Sequence, residues 1–333
     1  MATYGAKALT RIATASQASF GTAASIGTAT GEILFTETLG ALDLGVTVDL
    51  GETTSVGKRT AIQAGRPTIT AKQPILTIAE GPASLRTLPL VLDAVGAAVT
   101  GAGPYTWTWS PTQGDVDTLV FYSFLVEDGV QKYLVRDAAP TEITFSADAT
   151  GLLQMGATFA ATTVASSALA FPTALPANPM MAGRLMKLST DTNFPDKSGT
   201  GATDYTSVMN FNLSITTGVG MINALDGSLT AATAALTGAL DATLTFTVAS
   251  NSGATTSFPI TSIADQKFLR LYGTTSDNYG VWILGSWEIE NVVPLSADMD
   301  GVVVNEVTCR LAYDTTSGKS LEIIVDSPLA TAP

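Results

Sequence analysis

Histidine does not occur anywhere in this sequence of 333 residues. Its absence removes the commonest general base and the commonest metal ligand together, so an enzyme reading would have to rest on carboxylates, Lys, Tyr and Ser. Cysteine is nearly as scarce. Cys309 stands alone, which excludes an internal disulfide and a cysteine metal site and leaves the redox compartment unconstrained. It falls in "VVVNEVTCRLAY", in step with Val303, Asn305, Val307 and Leu311, a register that predicts a small buried hydrophobe rather than a reactive thiol.

Positive charge is the next shortage. Sixteen Lys and Arg face 29 Asp and Glu, for a formal charge of −13, and this argues against a surface built to grip phosphates. Charged residues make up 14% of the chain, against about a quarter in ordinary domains. A chain so short of charge is expected to hide much of its surface against copies of itself.

Long apolar runs are missing too. The longest uncharged interval, Ala149 to Gly183, is broken by Pro172, Pro176 and Pro179 and by scattered Thr, Ser, Gln and Asn, so a bilayer span of about 20 apolar residues does not fit. Residues 1–29 carry Lys7 and Arg11 without the apolar stretch of a signal peptide, and they read as an N-terminal arm. A soluble chain is expected, with no membrane partner.

What is present is strand pattern. With 46% hydrophobic residues the chain can fill a substantial core in each of two domains. Alternating or β-branched runs recur at "PILTIAE", "YTWTWS", "TLVFYSFLV", "EITFSAD", "MNFNLSITT", "ATLTFTVAS", "GVWILGSWEIENV" and "SLEIIVD". Turn residues separate nearly all of them, which predicts an all-β antiparallel sandwich or barrel. Only "ASLRTLPLVLDAVG" spaces apolar residues as a helix does, at Leu85, Leu88, Leu92 and Val95, with Pro89 making the first turn irregular.

Internal similarity sharpens the picture. "ITFSADATGLLQMGATF" aligns without a gap on "VPLSADMDGVVVNEVTC", matching Ser146 with Ser296, Asp148 with Asp298, Gly151 with Gly301 and Thr158 with Thr308. "LVFY" falls on "LRLY", matching Tyr122 with Tyr272, and "YTWTWS" falls on "LTFTVA", matching Trp107 with Phe246. The expected organisation is two copies of one β module, residues 30–165 and 183–327, joined by a Pro-rich linker at 166–182 and followed by a short tail at 328–333. The first copy carries an excess segment, the long loop 46–72, that the second lacks. It holds Lys58, Arg59, Arg66 and Lys72, which suit either a solvated loop or an arm docking on an acidic neighbour.

Candidate chemistry is thin. "DMDG" at 298–301 and "DVD" at 115–117 lack the spaced ligands and distal Glu of an EF-hand loop, and they are better explained as Asp turns between strands. Neither a P-loop nor a G-x-S-x-G occurs. Glu288 and Glu290 share one face of a presumptive strand, as the paired carboxylates of a glycosidase would, but Trp287 and Ile289 supply its buried side. Trp107 and Trp109 resemble a stacking platform, yet no basic residue lies between Arg86 and Lys132 and the other copy replaces both by Phe and Val. They are expected in the core. No catalytic, cofactor or metal residue is expected.

The segments "EILFTETLGALDLGVTVD", "AEGPASLRTLPLVLDAVG", "GPYTWTWSP", "EITFSADATGLLQMGATF" and "AYDTTSGKSLEIIVDSP" resemble the tail tube (major tail) proteins of siphophages, in particular the two-domain type of very long-tailed Thermus phages. The resemblance covers nearly the whole chain and rests on pattern and order, without a signature motif. It implies modules of two packed antiparallel sheets with one or two short helices. These would close side by side into rings, three chains forming a pseudo-hexamer, and the rings would stack into a virion tail tube made in the host cytoplasm. The implied partners are further copies of the chain, a tape measure protein, and tail terminator and distal tail proteins. DNA would pass through the lumen without specific binding, which a chain of charge −13 permits. By the same resemblance the loop at 46–72 packs on the next ring, with Lys58, Arg59, Arg66 and Lys72 meeting acidic residues there. The rival is a secreted or surface β-sandwich that binds glycans, and it calls for a signal peptide and a calcium constellation.

Overall fold

The computed structural model describes residues 11–22, 24, 26, 32–34, 39–49, 52–54, 62–64, 68–111, 119–171, 179–205, 207–250, 258, 262–299 and 302–332. Its first half runs β1 (Arg11–Ser16), β2 (Glu32–Leu34), β3 (Leu39–Asp43), β4 (Val46–Asp49), β5 (Glu52–Thr54), β6 (Ile62–Ala64), β7 (Thr68–Lys72) and β8 (Ile75–Pro82). Then come α1 (Leu88–Ala94), β9 (Ala98–Thr100), β10 (Tyr105–Trp109), β11 (Tyr122–Glu127), β12 (Lys132–Asp148), β13 (Gln154–Ala160) and β14 (Thr163–Ser166). The second half runs β15 (Lys187–Asp191), β16 (Thr203–Tyr205), β17 (Val208–Thr216), β18 (Val219–Ile222), β19 (Thr233–Leu236) and β20 (Asp241–Ala249). It ends with β21 (Gln266–Thr274), β22 (Gly280–Met299), β23 (Val302–Leu311) and β24 (Leu321–Ser327). The chain is therefore all-β, and the pairings between its named strands are antiparallel.

Two long strands, β12 of 17 residues and β22 of 20, far exceed the usual 5 or 6 or so because each passes from one sheet of a sandwich into the other. β12 turns its corner at Asp137, a non-glycine residue with φ of 53°. The side chain of Asp137 is buried there and holds the turn by accepting from the Gly21 N–H at 2.6 Å and from the Thr162 hydroxyl. Beyond the corner, alternation places Ile143, Phe145 and Ala147 inward and Glu142, Thr144 and Ser146 outward.

Neighbour relations repeat along the chain. β1 pairs β2 and β11, β11 pairs β12, β12 pairs β14 and β13, β13 pairs β8, and β8 pairs β3. In the same chain order β15 pairs β16 and β21, β21 pairs β22, β22 pairs β24 and β23, β23 pairs β20, and β20 pairs β17. A hairpin, β4 with β7, stands between β3 and β8, and another, β18 with β19, stands between β17 and β20.

Three expectations change. Residues 11–16, assigned by sequence to an N-terminal arm, are β1, whose centre is buried on both faces because Ala13, Ala15, Ile26, Leu125, Leu134 and Phe171 form a second cluster outside the main core. "YTWTWS" is not the counterpart of "LTFTVA". β10 pairs β24 and β9, whereas β20 takes the position that β8 holds in the first half. Lastly, 46–72 is no mere loop, since β4 and β7 zip its base and β5 pairs β6; nor is it without a partner, since β18 and β19 occupy the matching place.

The helix falls where expected. Pro89 sits in the first turn, where no intrahelical N–H is needed. Every residue of α1 except Asp93 is buried, and Asp93 accepts from the Tyr122 hydroxyl at 2.5 Å. Burial raises the pKa of both groups, and in Tyr122 the neighbouring carboxylate adds to the rise.

Candidate assembly edges and a polar sheet face

The two halves meet edge to edge. β12 pairs β17 from Glu142↔Thr216 to Asp148↔Asn210, so one sheet runs β3, β8, β13, β12, β17, β20, β23, β22. β10 reinforces the joint, crossing from the first half to lie along β24 from Tyr105↔Ser327 to Trp109↔Ile323. The Asp326 carboxylate clasps this crossing, accepting from Thr106 Oγ1 at 2.7 Å and from Lys197 Nζ at 2.7 Å.

At its two ends the shared sheet is open. Among the described residues no strand pairs the outer edge of β3, and none pairs β22 beyond Ile289 on the side away from β23. Both ends are irregular, β3 by a register shift between Leu39 and Leu42. The β22 end carries Pro294, then Leu295 at φ of 56°, within a register shift between Val293 and Ala297. A proline and a bulge are the usual means of keeping a free edge from indiscriminate pairing.

The outward face of this sheet is lined by short polar side chains. Thr77, Thr144, Ser146, Thr158, Asn212 and Thr245 stand on it as alternation requires. Glu80, Glu142, Asp148, Asp241, Glu288 and Glu306 supply its acids. Some side chains on this face satisfy one another: Ser146 donates to Glu80, Ser214 to Glu142 at 3.2 Å, and Thr247 to Asn210 at 3.0 Å. Asp148 closes the β12 turn by accepting from the Thr150 hydroxyl and N–H, which holds its carboxyl below the usual range, as expected of an Asp turn. Arg310 is the one cation on the face among the described residues. It is bound to Asp241 at 3.0 Å and 3.2 Å, a contact that raises its pKa further.

Of the basic residues singled out in the sequence, Lys58, Arg59 and Arg66 lie outside the described residues. Lys72 ends β7 and touches the second hairpin: its N–H donates to the Leu229 carbonyl at 2.8 Å, and it bridges Thr230 in parallel. The base of the first hairpin is therefore joined to the connecting loop of the second. Around that junction Leu44, Val46, Val48 and Ile69 are exposed on one hairpin, and Ile222 and Leu225 on the other. Apolar surface here was not singled out in the sequence, where the same residues look like ordinary strand alternation.

Among the remaining candidates, "DVD" at 115–117 and residues 300 and 301 of "DMDG" lie outside the described residues, and the others resolve as structure. Trp107 and Trp109 are buried, and the Trp107 indole N–H donates to the Leu329 carbonyl at 2.9 Å. Glu288 and Glu290 are exposed beside buried Trp287 and Ile289. Cys309 is fully buried, and burial pushes its thiol up to about 12. A thiol reagent at pH 8 is accordingly expected to leave the native chain unmodified and to label one site after denaturation; rapid native labelling would contradict that burial. Among the described residues no group of three or more acidic or thiol side chains is placed to hold a metal. A depression of about 420 Å³ opens beside the joint between Asp148, Lys187 and Asp204.

No family model matches the chain, and no curated protein matches it.

Proposed function

We propose that this chain is a structural protein that polymerises into the tail tube of a long-tailed phage, its two halves being copies of one ring-forming module. The observation that carries the reading is the β12 to β17 joint. A unit that pairs with its own repeat through two different edges, and still presents one edge of each kind at its ends, can repeat the joint between chains. The free end of β22 would then receive β3 of the next chain, as β12 receives β17. Closure of such a series into a ring removes every open edge, which an isolated sheet of this length leaves unprotected.

With that joint repeated, the polar face becomes the inner wall. Acids in excess and an Arg310 held by Asp241 offer DNA phosphates no cluster of positive charge among the described residues. A strand of DNA can then slide along the wall without being held. The joined hairpins, with their exposed Leu44, Val46, Ile222 and Leu225, suit burial against a stacked ring, a head-to-tail contact that extends without limit. Three chains per ring, a tape measure protein within, terminator and distal tail proteins at the ends, and the virion tail as location belong to the same reading.

Negative-stain microscopy of the concentrated pure protein tests it: rings or tubes are expected, and a persistent monomer whose stability depends on added metal would sink it. Reversal of Lys58 and Arg59 to Glu is expected to leave the chain folded and stop elongation at short stacks. Full-length tubes from that variant would remove these residues from the inter-ring contact.

A further inference from the structure

The outer face of the second half buries a cation among apolar side chains. Arg270 of β21 is 5% exposed. Its neighbours Leu269 and Leu271 point into the main core, so alternation sets Arg270 on the other face, where Trp282, Leu284 and Ile324 form a separate cluster with Phe194 and Tyr272. A strap, residues 192–202 between β15 and β16, lies over this face. Phe194 packs on the cluster, Lys197 Nζ stands 4.4 Å from the Trp282 ring centre and bonds Asp326 at 2.7 Å, and Gly199 reaches Arg270.

Two contacts hold the guanidinium in place. Its carbon stands 3.7 Å from the Tyr272 ring centre, where cation and ring attract. Gly199, at φ of 68°, lies so close that a Cβ there would stand 1.3 Å from Nη1. The nitrogens are less well served: among the described residues, Nε and Nη1 are buried without a hydrogen-bond partner, and so is the Ser189 hydroxyl. Ser189 of β15 pairs Arg270 directly in register and is fully buried, so the two side chains rise together from one face. Arginine cannot shed its charge, and a buried cation left unpaired is costly. The acids of the strap and of the flanking strands are engaged elsewhere. Asp191 accepts from the Thr192 N–H and Asp196 from the Gly199 N–H, both at 2.6 Å, Asp204 from the Tyr272 hydroxyl at 2.8 Å, Glu322 from Lys319 at 2.6 Å, and Asp326 from Thr106 and Lys197.

We propose that Arg270 and Ser189 bind a small inorganic anion, of the size and charge of chloride, beneath the strap. The guanidinium N–H groups and the Ser189 hydroxyl donate to it, Tyr272 and Gly199 hold the guanidinium in position, and the strap excludes bulky anions. The anion neutralises a cation that closure of the strap removes from water, so occupancy and closure strengthen each other. The same strap carries Lys197 to Asp326, where β10 crosses from the first half onto β24. Occupancy therefore also steadies the crossing between the halves. The site is complete within one chain and does not depend on polymerisation.

The test replaces sodium gluconate by sodium chloride at constant ionic strength, so that general screening does not change, and follows urea unfolding and amide exchange of the full-length chain. In the wild type the urea midpoint is expected to rise and then level off with chloride, and exchange in residues 192–202 to slow in step. Arg270→Met keeps an apolar stem and removes the charge, and its midpoint should no longer respond to chloride. Ser189→Ala removes one donor and should need about tenfold more chloride for half the shift; it decides the matter if Arg270→Met does not fold. A wild type indifferent to chloride, or an unchanged response in either variant, would overturn the site.

Discussion

A chain carrying Leu42→Pro is expected to fold and to remain unassembled at concentrations where, on the proposed function, the wild type polymerises. In β17 the residues that bond β12 are those in register with Met209 and Thr217, whose backbone hydrogen bonds to Ala149 and Thr141 span the joint at 3.0 Å. Ile215 shares that register. Leu213 shares it too, and Leu42 holds Leu213's place in β3, since it pairs Leu76 as Leu213 pairs Leu244, with Thr77 beside Leu76 facing Thr158 as Thr245 faces Thr308. Its N–H therefore faces away from β8, toward the edge proposed to meet the next chain. Proline there deletes one joint hydrogen bond, worth about 0.5–1.5 kcal/mol, and sets its ring in the path of the incoming strand, while edge strands tolerate the residue. Because every joint in a ring bears the loss, the critical concentration should rise at least about tenfold, the equivalent of roughly 1.4 kcal/mol. Leu42→Ala is the control: it loses side-chain packing and keeps the N–H, so it should melt somewhat lower yet still assemble. Sedimentation of the two variants separates these effects, and tubes from Leu42→Pro at the wild-type threshold would exclude β3 from the joint.

The largest effect on stability is expected at Trp107. Its side chain is 2% exposed, its N–H is bonded to the Leu329 carbonyl, and its strand pairs Val325 of β24. Truncation to Ala leaves a large cavity and an unsatisfied carbonyl, a combination that costs about 3–5 kcal/mol. Trp107→Phe retains most of the volume and should cost much less. Because β10 crosses from the first half to the edge of β24, the loss is expected to loosen the joint between halves as well as the local core. Urea unfolding followed by circular dichroism measures it, and a change below about 1 kcal/mol would mean that the tryptophan is not a core anchor.

Much was legible before any coordinates. Alternation in "EITFSAD" and "LEIIVD" marks strands and their buried sides, since Cβ direction has a period of two along any extended chain. Leu88, Leu92 and Val95 mark the helix, and Pro89 its first turn. The Asp148 turn, the buried Cys309 and the core role of Trp107 and Trp109 follow from pattern alone. β1 was missed because Ala13, Thr14 and Ala15 are covered on both faces, which erases the alternation. The match of "YTWTWS" to "LTFTVA" failed because alternate Thr and apolar residues describe a strand's faces and say nothing about its neighbours.

By itself, then, the sequence determined an all-β acidic chain without histidine, rich in small polar side chains. Only the tertiary structure decided that β12 and β17 join the halves into one sheet and that, among the described residues, β3 and β22 are left as its ends. The physical reason is that side-chain periodicity is a local property of the chain. Strand pairing is settled between residues far apart in sequence, through backbone groups that every amino acid but proline carries alike.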